Sequence, residues 1–483
     1  MSFLKNFEKK DKQKKLDKKI DSELPFFITI VTLLATSGFG PYSIFIKIKD
    51  MDLLPNVRKE AMKILKKIDI LGMDPLTVMI EVKDKGPSNF GEFLNGYVSA
   101  IQSGGDVVNY LKTKMNGAFD LYESAQKGLV EKVKALVDTY MTMQIVILAV
   151  YIIITATTTG GIGTPPLKTD IDPLYLVIIM PPLVSGLFLF LAKSVNKSKA
   201  EEMDLKKIIM FGIPGIIVAM AIMFLKLIPD YSLYVLGGAL CVSALWPALK
   251  FQHKYKFSLD AESASAIILR DVAEARKAGL GPEKCVIKAT KRKDFGLFNK
   301  VANGISNKLE WGMTLEDIFQ FIKKETTDFQ ILINFRVLFE IISSGGGNVN
   351  TLDTLAGISE KIRNIEKEKR EMLKPYVMVG FMLVGITGFT TLLVIDSLTG
   401  LGTNLETDAV KKNTLQLESN ARFELLGIAI LAQSWLSGLF LGKITTGSYS
   451  AGFRYSIILV IISIGAIAII QSKIFSVSSM FGQ

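Results

Sequence analysis

The stretch from Asn334 to Ile395 limits what this chain can fold into more than any other. It opens with an apolar helical run (Phe335, Leu338, Phe339, Ile342) that breaks at Ser343-Ser344-Gly345-Gly346-Gly347. A charged helix follows, with Ile358, Ile362, Ile365 and Met372 at spacings of four, three and seven. After Lys374-Pro375 the chain becomes a charge-free apolar run from Tyr376 to Ile395. That run has about the length an α-helix needs to cross a bilayer. An aqueous helical hairpin is therefore joined, almost without linker, to a membrane span. The same design occurs earlier: Tyr97 to Ile101, then Ser103-Gly104-Gly105-Asp106, a charged helix with Leu129, Val133, Leu136 and Tyr140, and an apolar span from Met141 to Thr155.

The correspondence has a fixed offset. Ser37-Gly38-Phe39-Gly40-Pro41 matches Ala278-Gly279-Leu280-Gly281-Pro282, and 279 − 38 = 241. Gly104-Gly105 matches Gly345-Gly346-Gly347, with 345 − 104 again 241. Leu71-Gly72-Met73 against Trp311-Gly312-Met313 fits at 240. A period this long is far from that of a solenoid array and implies a duplicated domain.

Of the 483 residues, 49% are hydrophobic and 21% charged, which fits alternating lipid-embedded and aqueous blocks rather than a soluble enzyme. The net charge of +11 reads as contact with anionic lipid and as an orientation signal, not as nucleic-acid binding. Two cysteines, Cys241 in an apolar span and Cys285 in a charged segment, exclude a disulfide framework. The single histidine, His253, lies next to a span end and makes no metal site. The Lys-rich N-terminus is followed by no small-residue cleavage site, so no cleavable signal is expected.

Residues 1–23 read as a basic N-terminal tail or surface helix. The apolar segment Leu24 to Ile48 has the hydropathy of a span. Its counterpart, Ser263 to Cys285, carries Arg270, Asp271, Glu274, Arg276 and Lys277 and belongs in water. We read Leu24–Ile48 as a buried helix of an aqueous bundle. The expected order is a helical domain at 24–140, four spans (about 141–159, 173–192, 208–228 and 231–250), a second helical domain at 251–375, three spans (about 376–397, 423–442 and 455–472), and an extracytoplasmic tail at 473–483. No sustained period-two alternation marks a strand. The fold class is thus all-α: a polytopic membrane protein with about seven spans and two duplicated cytoplasmic helical bundles. The loop 193–207 holds five Lys, whereas 160–173 holds only Lys168. With the N-terminus inside, both helical domains are cytoplasmic and the C-terminus lies outside.

Catalytic patterns do not survive inspection. Gly438 to Thr445 resembles a phosphate loop, but its spacing is one short and it sits at a span end. Ser103-Gly104-Gly105-Asp106 resembles the glycine-aspartate motif of intramembrane peptidases, but it lies outside a span and its repeat carries Asn348. Asp396 has no partner carboxylate in view. No catalytic, cofactor-binding or metal-binding residue is therefore expected. The spans hold few ionisable residues, with Lys226 and Glu424 near their ends, which argues against an ion-coupled transporter. Pro181-Pro182, Gly237-Gly238, Gly380, Gly385 and Gly388 suit kinked, closely packed helices.

An aqueous helical domain with G-[FL]-G-P, then G-M, then an apolar helix into S-G-G and a charged helix entering a span, resembles the type II secretion F domain. That family comprises the membrane platform proteins of type II secretion, type IV pili, tight-adherence pili and archaella. The resemblance covers about 25–160 and 260–398. The segment Gly442-Lys443 through Gly447 to Gly452-Phe453-Arg454-Tyr455, read as a loop between the last two spans, is similar to that of archaeal platform proteins of the archaellum type. The resemblance implies a non-enzymatic role without cofactor: a homodimeric platform on which a cytoplasmic hexameric ATPase docks, driving assembly of pilin- or archaellin-like subunits. It makes the helix bearing Lys361, Arg363, Lys367, Lys369 and Arg370 the candidate coupling element. The alternative reading is a transporter or channel built on two repeats, for which polar residues lining a midplane path are missing from the sequence.

Overall fold

The computed structural model describes residues 2–85, 88–159, 173–195, 231–292, 294–345, 347–405 and 409–471, and among them every regular element is helical. The helices are α1 (Ser2–Thr36), α2 (Pro41–Lys49), α3 (Pro55–Leu71), α4 (Pro75–Lys85), α5 (Ser88–Gln102), α6 (Val107–Thr159), α7 (Pro173–Val195) and α8 (Ser232–Lys277). They continue as α9 (Pro282–Lys291), a 3₁₀ turn (Gly296–Phe298), α10 (Asn299–Glu310), α11 (Leu315–Glu325), α12 (Phe329–Ser343), α13 (Val349–Leu405), α14 (Ala409–Thr446) and α15 (Tyr449–Gln471). The chain is an all-α, polytopic membrane protein. It divides into two units: residues 1–127 with 256–367, and residues 128–255 with 368–483.

The first unit has one apolar core drawn from both halves of the sequence, including Phe27, Phe45 and Phe90 from the first and Phe298, Phe335 and Phe339 from the second. Phe26 packs edge-on against Phe329 at 4.9 Å, joining the two blocks. The Leu24–Ile48 segment lies inside this core. Phe26, Phe27, Ile30, Val31, Leu33 and Leu34 of α1 and Ile44, Phe45 and Ile48 of α2 are all buried. Each such side chain contributes roughly 1.5–3 kcal/mol by leaving water. The expected boundary at 23/24 falls inside one helix, for α1 begins at Ser2 and takes in the basic N-terminal residues.

A buried carboxylate fixes how α1 meets α3. Glu23 accepts hydrogen bonds from the backbone N–H of Asn56 and Val57 and from Asn56 Nδ2, closing the first turn of α3. The second block has a similar device from a different position. Asp260 Oδ2 accepts from the N–H of Leu297 in the 3₁₀ turn at 2.9 Å, with 297 − 56 = 241 but 260 − 23 = 237. A negative side chain at a helix N-terminus satisfies orphan donors and complements the helix dipole.

The second unit contains the later part of α6, α7, the first part of α8, the later part of α13, α14 and α15. Its cores are apolar: Leu233, Leu240, Leu431, Phe453 and Val460 in one cluster, and Val133, Val137, Tyr140, Phe188, Leu373 and Phe440 in another. Val130 to Tyr140 and Leu373 thus pack with this unit, although their charged neighbours assign them by sequence to the aqueous blocks. The unit boundaries fall at 127/128, 255/256 and 367/368, inside α6, α8 and α13.

Five helices among the described residues are long and apolar enough to cross a membrane. They lie within Val107–Ile154, Ser232–Lys277, Val349–Thr391, Phe423–Thr446 and Tyr449–Gln471. They overlap the expected spans at 141–159, 231–250, 376–397 and 455–472 and contain the one at 423–442. The expected span at 173–192 is helical as α7, but its described apolar part is the shorter Ile179–Lys193. The one at 208–228 lies outside the described residues, as do the tail at 473–483 and Lys226.

Candidate functional site

Three glycine pairs share one backbone conformation. Gly38 and Gly279 have φ of 91° and 84°, Gly72 and Gly312 of 64° and 75°, and Gly104 and Gly345 of 65° and 72°. The hydrogen bonds repeat with them. Phe39 N–H donates to Leu34 O and Leu280 N–H to Ala275 O, the six-residue closure of a Schellman end. Ser103 N–H donates to Ser99 O and Ser344 N–H to Glu340 O, again 241 apart. Gly40 and Gly281 are extended residues that precede Pro41 and Pro282 at the first turn of α2 and α9. A side chain at φ near +70° is strained, which is why these turns carry glycine.

The residues after the glycines are helix caps. Asp106 Oδ1 accepts from Asn109 N–H at 3.0 Å, and Asn348 Oδ1 from Thr351 N–H at 2.8 Å. Asp106 therefore starts α6 rather than forming half of a peptidase dyad. In the second block the two glycine turns also touch. Arg276 Nε donates to Gly347 O at 2.6 Å and a terminal nitrogen of the same guanidinium to Leu280 O at 2.8 Å. A Cβ on Gly347 would lie 3.0 Å from Pro282 Cγ. Gly105 has no such close contact, and Gly346 lies outside the described residues.

The candidate coupling residues lie on one helix but form no single cluster. In the first unit, Leu352, Leu355, Ile358, Ile362 and Ile365 of α13 face the core. Lys361 donates to Asp120 of α6 at 2.6 Å, and Tyr122 to Glu366 at 2.9 Å. Lys367 is exposed, while Arg363, Lys369 and Arg370 are half-buried. Glu366 thus bonds across to α6. The α13 helix continues through Lys374 and Pro375 to Leu405.

Gly442, Lys443, Gly447 and Gly452 prove to be a helical hairpin rather than a loop. Gly442 and Lys443 belong to α14 and Gly452 to α15, and only Gly447 and Ser448 lie between the helices. The phosphate-loop look-alike Gly438–Thr445 is ordinary helix. At Gly438 a Cβ would sit 2.3 Å from Ser456 Cα, and at Gly442 2.1 Å from Gly452 N, so the backbones touch. Lys443 is fully buried; its Nζ donates to Gly447 O at 2.7 Å and lies 4.7 Å from the Tyr449 ring centre. Gly447, at φ 76°, turns the chain so that its carbonyl meets that ammonium.

Sequence reasoning missed a polar seam in the second unit. Tyr140 Oη lies 2.7 Å from Ser437 Oγ and 3.1 Å from Ser185 Oγ. Ser185 donates to Pro181 O at 2.9 Å and accepts from Gln144 Nε2 at 3.2 Å. Gln433 Nε2 donates to Gln144 Oε1 at 3.0 Å. These five side chains from α6, α7 and α14 are all buried. A buried polar cluster thus exists where the sequence had offered none, because each residue is unremarkable within its own helix.

Neither cysteine is placed for chemistry. Cys285 is buried with its thiol directed to Leu280 O, and burial raises its pKa against the lowering pull of Arg276 and Lys288. No group of three or more metal-ligating side chains occurs among the described residues.

Residues 268–395, from within α8 to within α13, match the family model for type II secretion system (T2SS), protein F. The match covers most of the second copy of the repeated block and nearly all of the span expected at 376–397. Comparison with curated proteins and with solved structures returned no match.

Proposed function

We propose that this chain, which carries a T2SS protein F domain, is a membrane platform that couples a cytoplasmic motor to assembly of pilin-like subunits. The supporting observation is the continuity of α6, α8 and α13. Each runs from a charged segment packed in the first unit into an apolar segment of the second. A helix is a semi-rigid spacer, whereas a coil is not. Force applied to the first unit therefore has three uninterrupted paths toward the spans. The motor that fits is a hexameric ATPase docking on the helical bundle, with both bundle halves in the cytoplasm. The moved substrates are apolar-helix subunits of a pilus, archaellum or pseudopilus. A homodimer and an archaeal origin remain part of this reading, resting on the resemblance alone. The two glycine-turn sets support a duplicated domain that serves architecture and not catalysis.

Inserting a flexible Gly-Ser segment after Lys374 tests the coupling. The variant should enter the membrane and bind the ATPase as the parent does, yet assemble no filament. Normal filaments would leave a passive docking platform and refute the lever. The transporter reading gains one observation, the polar seam, beside which lies a cavity of about 30 Å³. That space suits a water molecule and no larger solute, so the platform is the reading we adopt.

A further inference from the structure

The cavity beside the polar seam has the features of a ligand site. It lies among α6, α7, α13 and α14, with Gln144, Gln433, Thr387 and Thr391 on its walls together with Pro181 and Ala429. Empty cavities in proteins are apolar, whereas polar ones of sufficient size hold water. This one is about 30 Å³, room for one water and at most two.

The hydrogen-bond inventory points the same way. Gln433 is 5% exposed. Its amide nitrogen is used on Gln144, and among the described residues its carbonyl oxygen accepts no hydrogen bond. Gln144, 2% exposed, gives its amide protons to Ser185 and toward the Tyr140 hydroxyl. Thr387 and Thr391 donate their hydroxyl protons to backbone carbonyls of α13, which leaves their oxygens as acceptors. The walls therefore offer several spare acceptors and no spare donor within an otherwise apolar pocket. Pro181 and Pro182 also remove two N–H groups from α7 beside it.

We propose that this pocket binds water, held between the Gln433 carbonyl and the threonine hydroxyls, so that the seam between α6, α7 and α14 is hydrated inside the membrane unit. Water matches the inventory because it supplies the two donors that these acceptors lack, and no wider ligand fits the volume. The inference does not depend on the platform reading, because it concerns only the packing of the second unit.

Magnetisation transfer from water to side-chain amides tests it. The full chain is labelled on glutamine and asparagine, reconstituted in lipid nanodiscs, and its signals are assigned with Gln144→Met, Gln433→Met and Asn334→Leu. Asn334 of the first unit, 4% exposed with its amide nitrogen bonded to Ser265 and Ser359, serves as the dry reference. The expected result is transfer to Gln144 and Gln433 at least several-fold faster than to Asn334. Ala429→Leu, which fills the pocket, should abolish the difference while the remaining signals persist. Transfer no faster than at Asn334 in the parent protein overturns the proposal, whether or not the filled variant folds. So does unchanged fast transfer in a folded Ala429→Leu protein.

Discussion

Gly442→Ala should damage the protein far more than its chemistry suggests. The added Cβ would lie 2.1 Å from Gly452 N and 2.2 Å from Gly452 Cα. Ordinary contact begins near 3.4 Å, so the shortfall is 3.4 − 2.1 = 1.3 Å. The obstacle is backbone and cannot rotate away, so α14 and α15 must part. Overpacking of this kind costs about 1–3 kcal/mol. Parting also strains the contacts beside it, where Ser456 donates to Trp435 O at 2.7 Å and Ser434 lies 2.6 Å from Ser463. Interhelical hydrogen bonds in membranes are worth roughly 0.6 kcal/mol each. The total is on the order of 2–4 kcal/mol.

Gly465 is the control on the other helix of the hairpin, α15, because a Cβ there meets nothing within 4 Å. Gly465→Ala should change stability by less than about 0.5 kcal/mol. Thermal unfolding in detergent, followed by a thiol-reactive dye that reports exposure of Cys241 and Cys285, compares the two. Equal midpoints for Gly442→Ala and Gly465→Ala would refute the close-packed hairpin.

Gly345→Val should cost roughly 1–3 kcal/mol through strain at positive φ, and Gly345→Asn markedly less, since Asn tolerates that region; equal melting of both would show the turn to be permissive. Lys361→Met should cost no more than about 1 kcal/mol, because the ion pair to Asp120 is largely exposed; a larger loss on melting would give that pair a structural role. Cys285 should react slowly with a membrane-impermeant thiol reagent even after lysis, being buried, so sidedness is read from Lys284→Cys in a Cys285→Ala background. That exposed position should label only in lysed cells, and labelling of intact cells would reverse the proposed orientation.

The glycine turns were legible because their requirement is local. Positive φ admits glycine and little else, so the turns leave a mark in sequence that survives divergence of the helices between them. Hydropathy located five of the expected spans, because their signal is likewise local. The unit boundaries were not legible, since Val130, Val133, Val137 and Leu373 continue an amphipathic stripe that looks the same whichever unit it packs against. The seam was invisible for a different reason. Its members are two glutamines, two serines and a tyrosine on three helices, and Tyr140 and Ser437 meet across 297 residues of chain. The hairpin left a fainter mark: Ser434, Gly438 and Gly442 recur every four residues within a span, a spacing that brings small side chains onto one helix face.

Divergence between the two blocks separates what the architecture requires from what one copy has added. Caps and turns recur in both: Asp106 and Asn348, Glu23 and Asp260, Gly38 and Gly279. The interior of the second block carries more. Asn334 Nδ2 donates to Ser359 Oγ at 2.8 Å and lies 3.2 Å from Ser265 Oγ, all three buried. At an offset of 241 the first block has Phe93 for Asn334 and Leu24 for Ser265, so that part of its core is apolar. Arg276, which ties the second block's two turns together, has Ala35 as its counterpart. A buried polar network admits fewer alternative packings than an apolar core, because a shifted helix leaves its donors unmet. The second block is thus the more sharply specified of the two. It is also the block that matches the family model and continues into the span beginning at Tyr376. Under the platform function proposed above, the part that must keep its shape under load is the part joined to the span it drives.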